Sequence, residues 1–578
     1  MTNEYIRKEA KDGISIKLHR GERKCLVGFD LDPANATDDF VGFALEFQEP
    51  GNQQWKRVWN RLRFSYDGLT DEQKRAGAPS TEFPIQKFRW VHFPNDPKDG
   101  EYRYRATAMY MRPDGTLVPG AKVEAPIDLR HETIAGVLDI GFTRGYASSQ
   151  AYADATRFPC QHRVLPPLGL AAPGDLSHDM SQCQKEYAWL GFESRATIYG
   201  LLDEAVADTS IEVDAMLYEL REPEIVRKLE ALGSRLRAIV DDHGVHGDAN
   251  SNETAAAERF RAAGASVKRG HFGRQQHNKV LVFRRNGLPF KALAGSTNLT
   301  LRGLYVQSNN TLVFSDANVP GFFGRVFESY FAIIDKKNST SKFKQDALSQ
   351  SWHDLSSSGG PRIKVAVSPH TDEALSLTPI ADAIEQAQSS VLYAVVFLNQ
   401  LTGRVRDALE ELVQRSTFSY GVSQRRGGLS VFKPDGSRGL VSFDYLANEA
   451  PEPFAAEWSS YSGGNSRSNV LHHKFVVTDF NTPKAKVFTG SSNMAAGGET
   501  SNGDHIIMIE DGRVATAYAV EALRSFDHFH FRVAMRDADK KREVLKLARP
   551  PTHGERTWFR EAYVNGHIKQ RDRILFGD

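Results

Sequence analysis

Shifted against itself by 195 residues, this chain meets a second copy of its own pattern. "HNKVLVF" at 277–283 falls on "HHKFVVT" at 472–478, and "GSTN" at 295–298 falls on "GSSN" at 490–493. His277 aligns with His472, Lys279 with Lys474, Gly295 with Gly490, Ser296 with Ser491 and Asn298 with Asn493, without a gap. A repeat of this reach limits the fold more than any local pattern, because it calls for two like units in one chain. A length of 578 residues accommodates both and further domains besides.

The local pattern around each copy is that of an α/β unit. From about residue 135, "GVLDIGF", "IEVDAMLYEL" and "LRAIVDD" are apolar runs of strand length. They alternate with helical segments such as "PEIVRKLEALGS" and "ETAAAERFRAAG". The alternation resumes after residue 361 with "RIKVAVSP", "IADAIEQAQ", "SVLYAVVFLNQ" and "RVRDALEELVQ". Before it, "GISIKLHR", "CLVGFDL", "GFALEFQ", "FRWVHF" and "EYRYRATAMYMR" alternate or run apolar between turn-like pieces, which predicts an immunoglobulin-like antiparallel β-sandwich. The expected division is a sandwich over 1–131, a first α/β domain over 132–349, a linker over 350–361, a second α/β domain over 362–547 and a tail over 548–578 packed on the second half. A Pro-, Gly- and aromatic-rich insertion at 144–191 is expected to form a lid or site wall.

A net charge of +1 excludes a global field for nucleic acid or anionic membrane. No 18-residue apolar run and no signal-peptide core is present, so no transmembrane segment is expected. Cys25, Cys160 and Cys183 are too few for a disulfide framework and are expected as reduced thiols in a cytoplasmic protein, the alternative being a Cys160–Cys183 pair if the protein is exported by a route without a signal.

The repeated residues are those a phosphate needs. Lysine and asparagine from both copies supply cationic and neutral donors, the serines and glycine-loosened backbone add more, and two histidines supply a nucleophile and a general acid. Metal binding by His271 and His277 is not expected, since no cysteine or acid cluster stands near them.

The two copies resemble the HKD motifs, H-x-K-x4-D followed by G-S-x-N, of the phospholipase D superfamily. The resemblance covers roughly residues 135–545 and implies duplicated phospholipase D-like α/β domains with pseudo-twofold symmetry. It further implies a metal-independent phosphodiester hydrolase without cofactor, in which one histidine forms a phosphohistidine and the other protonates the leaving group. Both half-sites lie in one chain, so a monomer is expected.

The second copy fits the motif throughout, with Asp479 at the aspartate position, and strand alternation assigns His473 to the opposite face in a structural role. The first copy departs from it, with Arg284 in place of the aspartate. Asp504 stands 32 residues after His472, where the family often places a histidine-orienting acid, and the same offset from His277 reaches Asn309. The expected pairs are therefore His472 with Asp504 and His277 with Asn309, leaving His277 as the uncharged nucleophile and His472 as acid, then base. An amide in the first half gives a partial likeness to tyrosyl-DNA phosphodiesterase.

A phospholipid is the expected substrate, with nucleic acid as the alternative and an inactive phosphate-binding module third. The insertion and "EWSSYSGGNSRSN" (457–469) are the candidate lipid-binding segments, and "KRGHFGR" (268–274) and "RDADKKREVLKLARP" (536–550) the candidate phosphate-backbone contacts.

Overall fold

The computed structural model describes residues 4–70, 73–74, 77–145, 152, 157–160, 163–165, 176–424, 429–434, 437–442, 470–552 and 555–578. The chain is mixed α/β, with two larger mixed sheets behind an all-β N-terminal region.

In that region, strands Ile6–Lys11, Ile14–Gly21, Lys24–Leu31 and Arg89–His92 form one antiparallel sheet. Leu117–Asp128, Glu101–Met111, Phe40–Gln48 and Lys56–Arg57 form another. Alternation does the sorting: Ile14, Ile16 and Leu18 are buried while Ser15 and Lys17 between them are half-buried. Together with Phe29, Phe43, Tyr102 and Tyr104 they share one apolar cluster drawn from both sheets. Besides the two-residue Lys56–Arg57, two strands of these sheets escape sequence reading. "IRKEAK" is a polar, exposed edge, and "LVPGAKVEAPID" carries prolines at an edge with a bulge between Pro119 and Lys122.

The tail does not pack simply on the second half as expected. Phe559 and Ala562 enter the N-terminal cluster, and Trp558 Nε1 donates to the Phe40 carbonyl at 3.0 Å. Helix Ile568–Gly577 runs so close to strand Lys24–Leu31 that a Cβ on Gly28 would lie 1.8 Å from the Phe576 carbonyl oxygen. The tail also meets the second half, where the Phe576 ring lies 5.5 Å from Phe418 and 5.6 Å from Phe480.

The first larger sheet has the order Leu138–Phe142, Asn310–Phe314, Leu288–Gly295, Lys279–Arg285, Ile211–Leu217, Leu236–Val240, Ser266–Arg269. The second runs Arg362–Val367, His505–Glu510, Lys486–Gly490, Lys474–Thr478, Ser390–Val395, Phe418–Ser423, Leu440–Ser442. In each, four successive antiparallel pairings are followed by two parallel ones. The segment expected as linker adds the edge strand His353–Asp354 to the second sheet, because Leu355 is buried and its N–H bonds the Ile363 carbonyl.

Two cysteines depart from expectation. Cys160 and Cys183 form a disulfide with Cα atoms 5.6 Å apart, and Cys25 alone is a free, buried thiol. The insertion folds back so that residues 23 apart in sequence become neighbours, which spacing alone does not reveal. Most of the insertion between 146 and 175, and all of 457–469, lie outside the described residues. Among the described residues, no helix is long and apolar enough to cross a membrane.

Candidate active site

Both histidines enter their strands from a segment that pairs with the opposite half. The Gly503 N–H donates to the Gln275 carbonyl and the His277 N–H to the Gly503 carbonyl, both at 2.8 Å. In mirror fashion, the Ser308 N–H donates to the Val470 carbonyl at 2.8 Å and the His472 N–H to the Ser308 carbonyl at 3.0 Å. Each histidine is thus placed by backbone from the other half.

The orienting side chains follow the same exchange, which reverses the expected pairing. His277 Nδ1 faces Asp504 Oδ1 at 2.7 Å, and His472 Nδ1 faces Asn309 Oδ1 at 2.9 Å. An offset counted along one half names the right residues but cannot say across which interface they act. The serines of the repeated turns fix these partners: Ser491 Oγ donates to Asp504 Oδ1 at 2.6 Å, and Ser296 Oγ to Asn309 Oδ1 at 2.9 Å. The glycines before them are equally matched. Gly295 and Gly490 have φ of 131° and 145°, and a Cβ there would lie 2.6 Å from the Asn310 carbonyl oxygen and 2.3 Å from that of His505.

The cations converge in a dry place. Lys279 and Lys474 are both buried. Lys474 Nζ lies 3.1 Å from both ring nitrogens of His472, and Lys279 Nζ sits 4.5 Å from the Tyr218 ring centroid and donates to the His277 carbonyl. Burial pushes Lys279 down to about 7 despite Asp504, Glu219 and Asp241, and drives Lys474 well below its ordinary value. His472 is also lowered strongly, by burial and then by Lys474, Lys279 and His277. His277 is lowered by burial, with Asp504 acting against that. Burial works against the Asp504 carboxylate, yet His277 and Lys279 outweigh it and bring it to about 2. Two lysines and two histidines that are or can become cationic, buried together, suit a bound anion.

The remaining predicted residues occupy distinct places. Asn298 donates through Nδ2 to Glu219 Oε2 at 2.6 Å, leaving its buried Oδ1 without a hydrogen-bond partner, and Asn493 Oδ1 is likewise unsatisfied. Asp479 is remote from the chemistry: it accepts the backbone N–H groups of Gln388, Ser389 and Ser390 at 2.7–3.2 Å, where strand Ser390–Val395 begins. Arg284 makes the corresponding tie in the first half, to Asp214 at 3.1 Å and Glu212 at 3.4 Å of the neighbouring strand. His473 turns away to Glu521 at 3.2 Å, and His271 pairs with Asp242 at 2.6 Å in an exposed loop.

Sequence reading missed Tyr218 and Glu219. The Tyr218 ring meets His277 edge-on at 4.5 Å, and the Glu219 carboxylate favours the charged form of both lysines. Their signal is positional, since both follow directly on the carboxyl end of Ile211–Leu217, the strand beside Lys279–Arg285. Pairing aligns Leu217 with Lys279 and Val395 with Lys474, so the second half carries Phe397 where the first carries Glu219.

The site brings together two histidines and two buried lysines, one of each from either half, and the resemblance to the phospholipase D superfamily stands on its twin motifs. No protein-family model and no curated protein matches the chain. Among solved structures it is similar to phosphatidylserine synthase from Haemophilus influenzae, 11% identical over 61% of this chain and 93% of the other, with a TM-score of 0.39. It is also similar to polyphosphate kinase from Porphyromonas gingivalis, 14% identical over 54% of this chain and 42% of the other, with a TM-score of 0.35. Yeast tyrosyl-DNA phosphodiesterase is 9% identical over 54% of this chain and 86% of its own, with a TM-score of 0.29. The chain thus spans less than half the length of the polyphosphate kinase. These likenesses are of fold at low identity, and fold does not determine substrate.

Proposed function

We propose that the chain is a phosphodiester hydrolase or transferase of the phospholipase D type, built from two duplicated α/β halves behind an N-terminal β-sandwich. One observation carries this reading: His277 and His472 are each oriented through Nδ1 by the opposite half, beside two buried lysines.

His277 remains the nucleophile, for a reason opposite to the one the sequence offered. Asp504, ionised down to about pH 2, accepts the Nδ1 proton and leaves the Nε2 lone pair to attack phosphorus. The phosphoimidazolium so formed is a cation, and the carboxylate beside it stabilises that charge. Asn309 gives His472 an oriented ring without favouring its charged form, so a protonated His472 is a strong acid toward the leaving oxygen. Once neutral, it takes the proton from the incoming water or alcohol, which displaces His277 from phosphorus. The lysines hold the non-bridging oxygens and supply the positive charge that the reaction develops against. The chemistry calls on no metal.

A phospholipid head group is the favoured substrate. Two of the three basic residues at 268–274, a run that would favour nucleic acid, are engaged internally: Lys268 pairs with Asp335 at 3.1 Å, and Arg269 binds the carbonyls of Val240, Asp241 and His246. A disulfide belongs to an oxidising compartment, which supports a location other than the reducing cytoplasm expected from composition.

The test offers phosphatidylcholine vesicles, single-stranded DNA and duplex DNA to wild type, His277→Asn and His472→Asn, each with EDTA. Head-group release by wild type alone is expected, with a phosphoenzyme accumulating in His472→Asn and none in His277→Asn. Strand cleavage would replace the lipid reading with a nuclease. A covalent adduct on His472, or loss of activity in EDTA, would overturn the mechanism.

A further inference from the structure

Three groups outside the phosphate site point at one another without touching. Glu22 lies in the turn between strands Ile14–Gly21 and Lys24–Leu31, and His131 follows strand Leu117–Asp128. Glu193 lies in helix Gln184–Ala207, after a break at Phe192. His131 Nδ1 is 3.6 Å from Glu193 Oε1 and 3.8 Å from Glu22 Oε2, too far for a hydrogen bond. All three inward atoms are buried and lack a hydrogen-bond partner, although Glu22 is 2% and Glu193 1% exposed. Two carboxylates at such depth, served on their inward side only by long ion pairs to one imidazole, are under-satisfied and costly.

The outward atoms are fixed. Thr133 Oγ1 donates to Glu22 Oε1 at 2.6 Å, the Phe142 N–H donates to Glu193 Oε2 at 3.3 Å, and Thr197 Oγ1 lies 3.4 Å from His131 Nε2. This is how outer partners orient the ligands of a cation: one atom of each side chain is tethered and the other left facing inward.

We propose that Glu22, His131 and Glu193 form a binding site for a divalent transition cation of the zinc class, joining the N-terminal sheets to the first α/β half. Two carboxylates and one imidazole are a borderline-soft donor set suited to Zn²⁺, whose tetrahedral ligands at about 2.1 Å lie about 3.4 Å apart. All three donor atoms already lie within 4.8 Å of one another, so a small inward shift closes the set. Glu22 and Thr133 also line a cavity of about 430 Å³, through which the cation and a fourth, water ligand would enter. The nearby cations are engaged elsewhere: Lys24 with Glu521 at 2.9 Å and Arg23 with Asp99 at 3.1 Å. Without a cation the cluster gathers protons instead. Despite burial, His131 is held up at about 9 by Glu22 and Glu193, and burial pushes Glu193 up to about 7. The site shares no residue with the phosphate centre, so its role is to clamp two parts of the fold.

The test loads the full chain with Zn²⁺, removes excess by gel filtration and measures zinc by mass spectrometry beside His131→Ala and Glu22→Gln. Circular dichroism checks that both variants fold, and Glu22→Gln, being isosteric, guards against a packing defect. Wild type is expected to retain about one equivalent, with a melting temperature a few degrees higher than after chelation, and both folded variants to lose the metal and the shift. Less than about a tenth of an equivalent in wild type, or equal zinc in the variants, would leave an ion cluster held by a proton and overturn the proposal.

Discussion

The two halves carry the same sheet, the same turn and the same lysine, yet their histidines stand in unlike company. His277 has a carboxylate at 2.7 Å and His472 an amide at 2.9 Å, and each partner comes from the other half. Asymmetry is thus introduced by single residues on a near-symmetric frame, and in the mechanism proposed above it would separate two roles: one ring carrying positive charge in a covalent intermediate, the other losing and regaining a proton. The aspartate position shows the contrary case. Asp479 and Arg284 differ completely in charge, yet each anchors its strand to the adjacent one, so the difference there bears on architecture.

The comparison breaks most readily at the orienting residues. Asp504→Asn keeps the shape but removes the charge beside the proposed phosphohistidine, and kcat is expected to fall about 10²- to 10³-fold, with Asn309→Ala costing only about tenfold. Equal losses would mean that the halves share the chemistry evenly.

Next in size is the response of the lysines to pH. Lys279 titrates near 7, so its charge is present below that value and lost as pH rises through it. KM for an anionic phosphodiester should rise about tenfold between pH 7 and about 9, and Lys279→Met should start high and stay flat. A KM that is level in wild type would show that bound phosphate keeps the lysine protonated throughout.

Asn309→Asp makes the halves alike. A carboxylate beside His472 favours its imidazolium, so the basic limb of the kcat profile should move up by about one pH unit. An unmoved limb would assign that limb to another group.

The smallest effects concern stability. Asp479→Ala leaves three backbone N–H groups without their acceptor and should cost about 2 kcal/mol in urea unfolding. Arg284→Leu should cost about 1 kcal/mol or less, because Asp214 keeps its bidentate contact with Arg237. Equal costs would show that the arginine is as deeply built into its half as the aspartate.

Much of this was legible beforehand because it is periodic. The 195-residue shift located both motifs, and the apolar runs located most strands of the two larger sheets, since burial on both faces leaves a composition that is hard to mistake. Partner choice was not legible, because Asp504 and Asn309 sit symmetrically in sequence and only the packing of the halves decides which ring each one meets. The disulfide and the place of the tail were hidden for the same reason. Both depend on which distant surface a segment finds: Cys160 finds Cys183, and Phe559 the core of the N-terminal sheets.

The exchange of short backbone pairings at Gly503 and Ser308 has one more consequence. Neither half can ready its own histidine before its sibling has formed, so an isolated half would be a scaffold without a tool. Reassembly from two separately expressed pieces should restore activity at a rate first-order in each piece, with neither piece active by itself. Ancestry from two identical copies would then imply a dimer before fusion, with the present division of labour arising only after one chain held both.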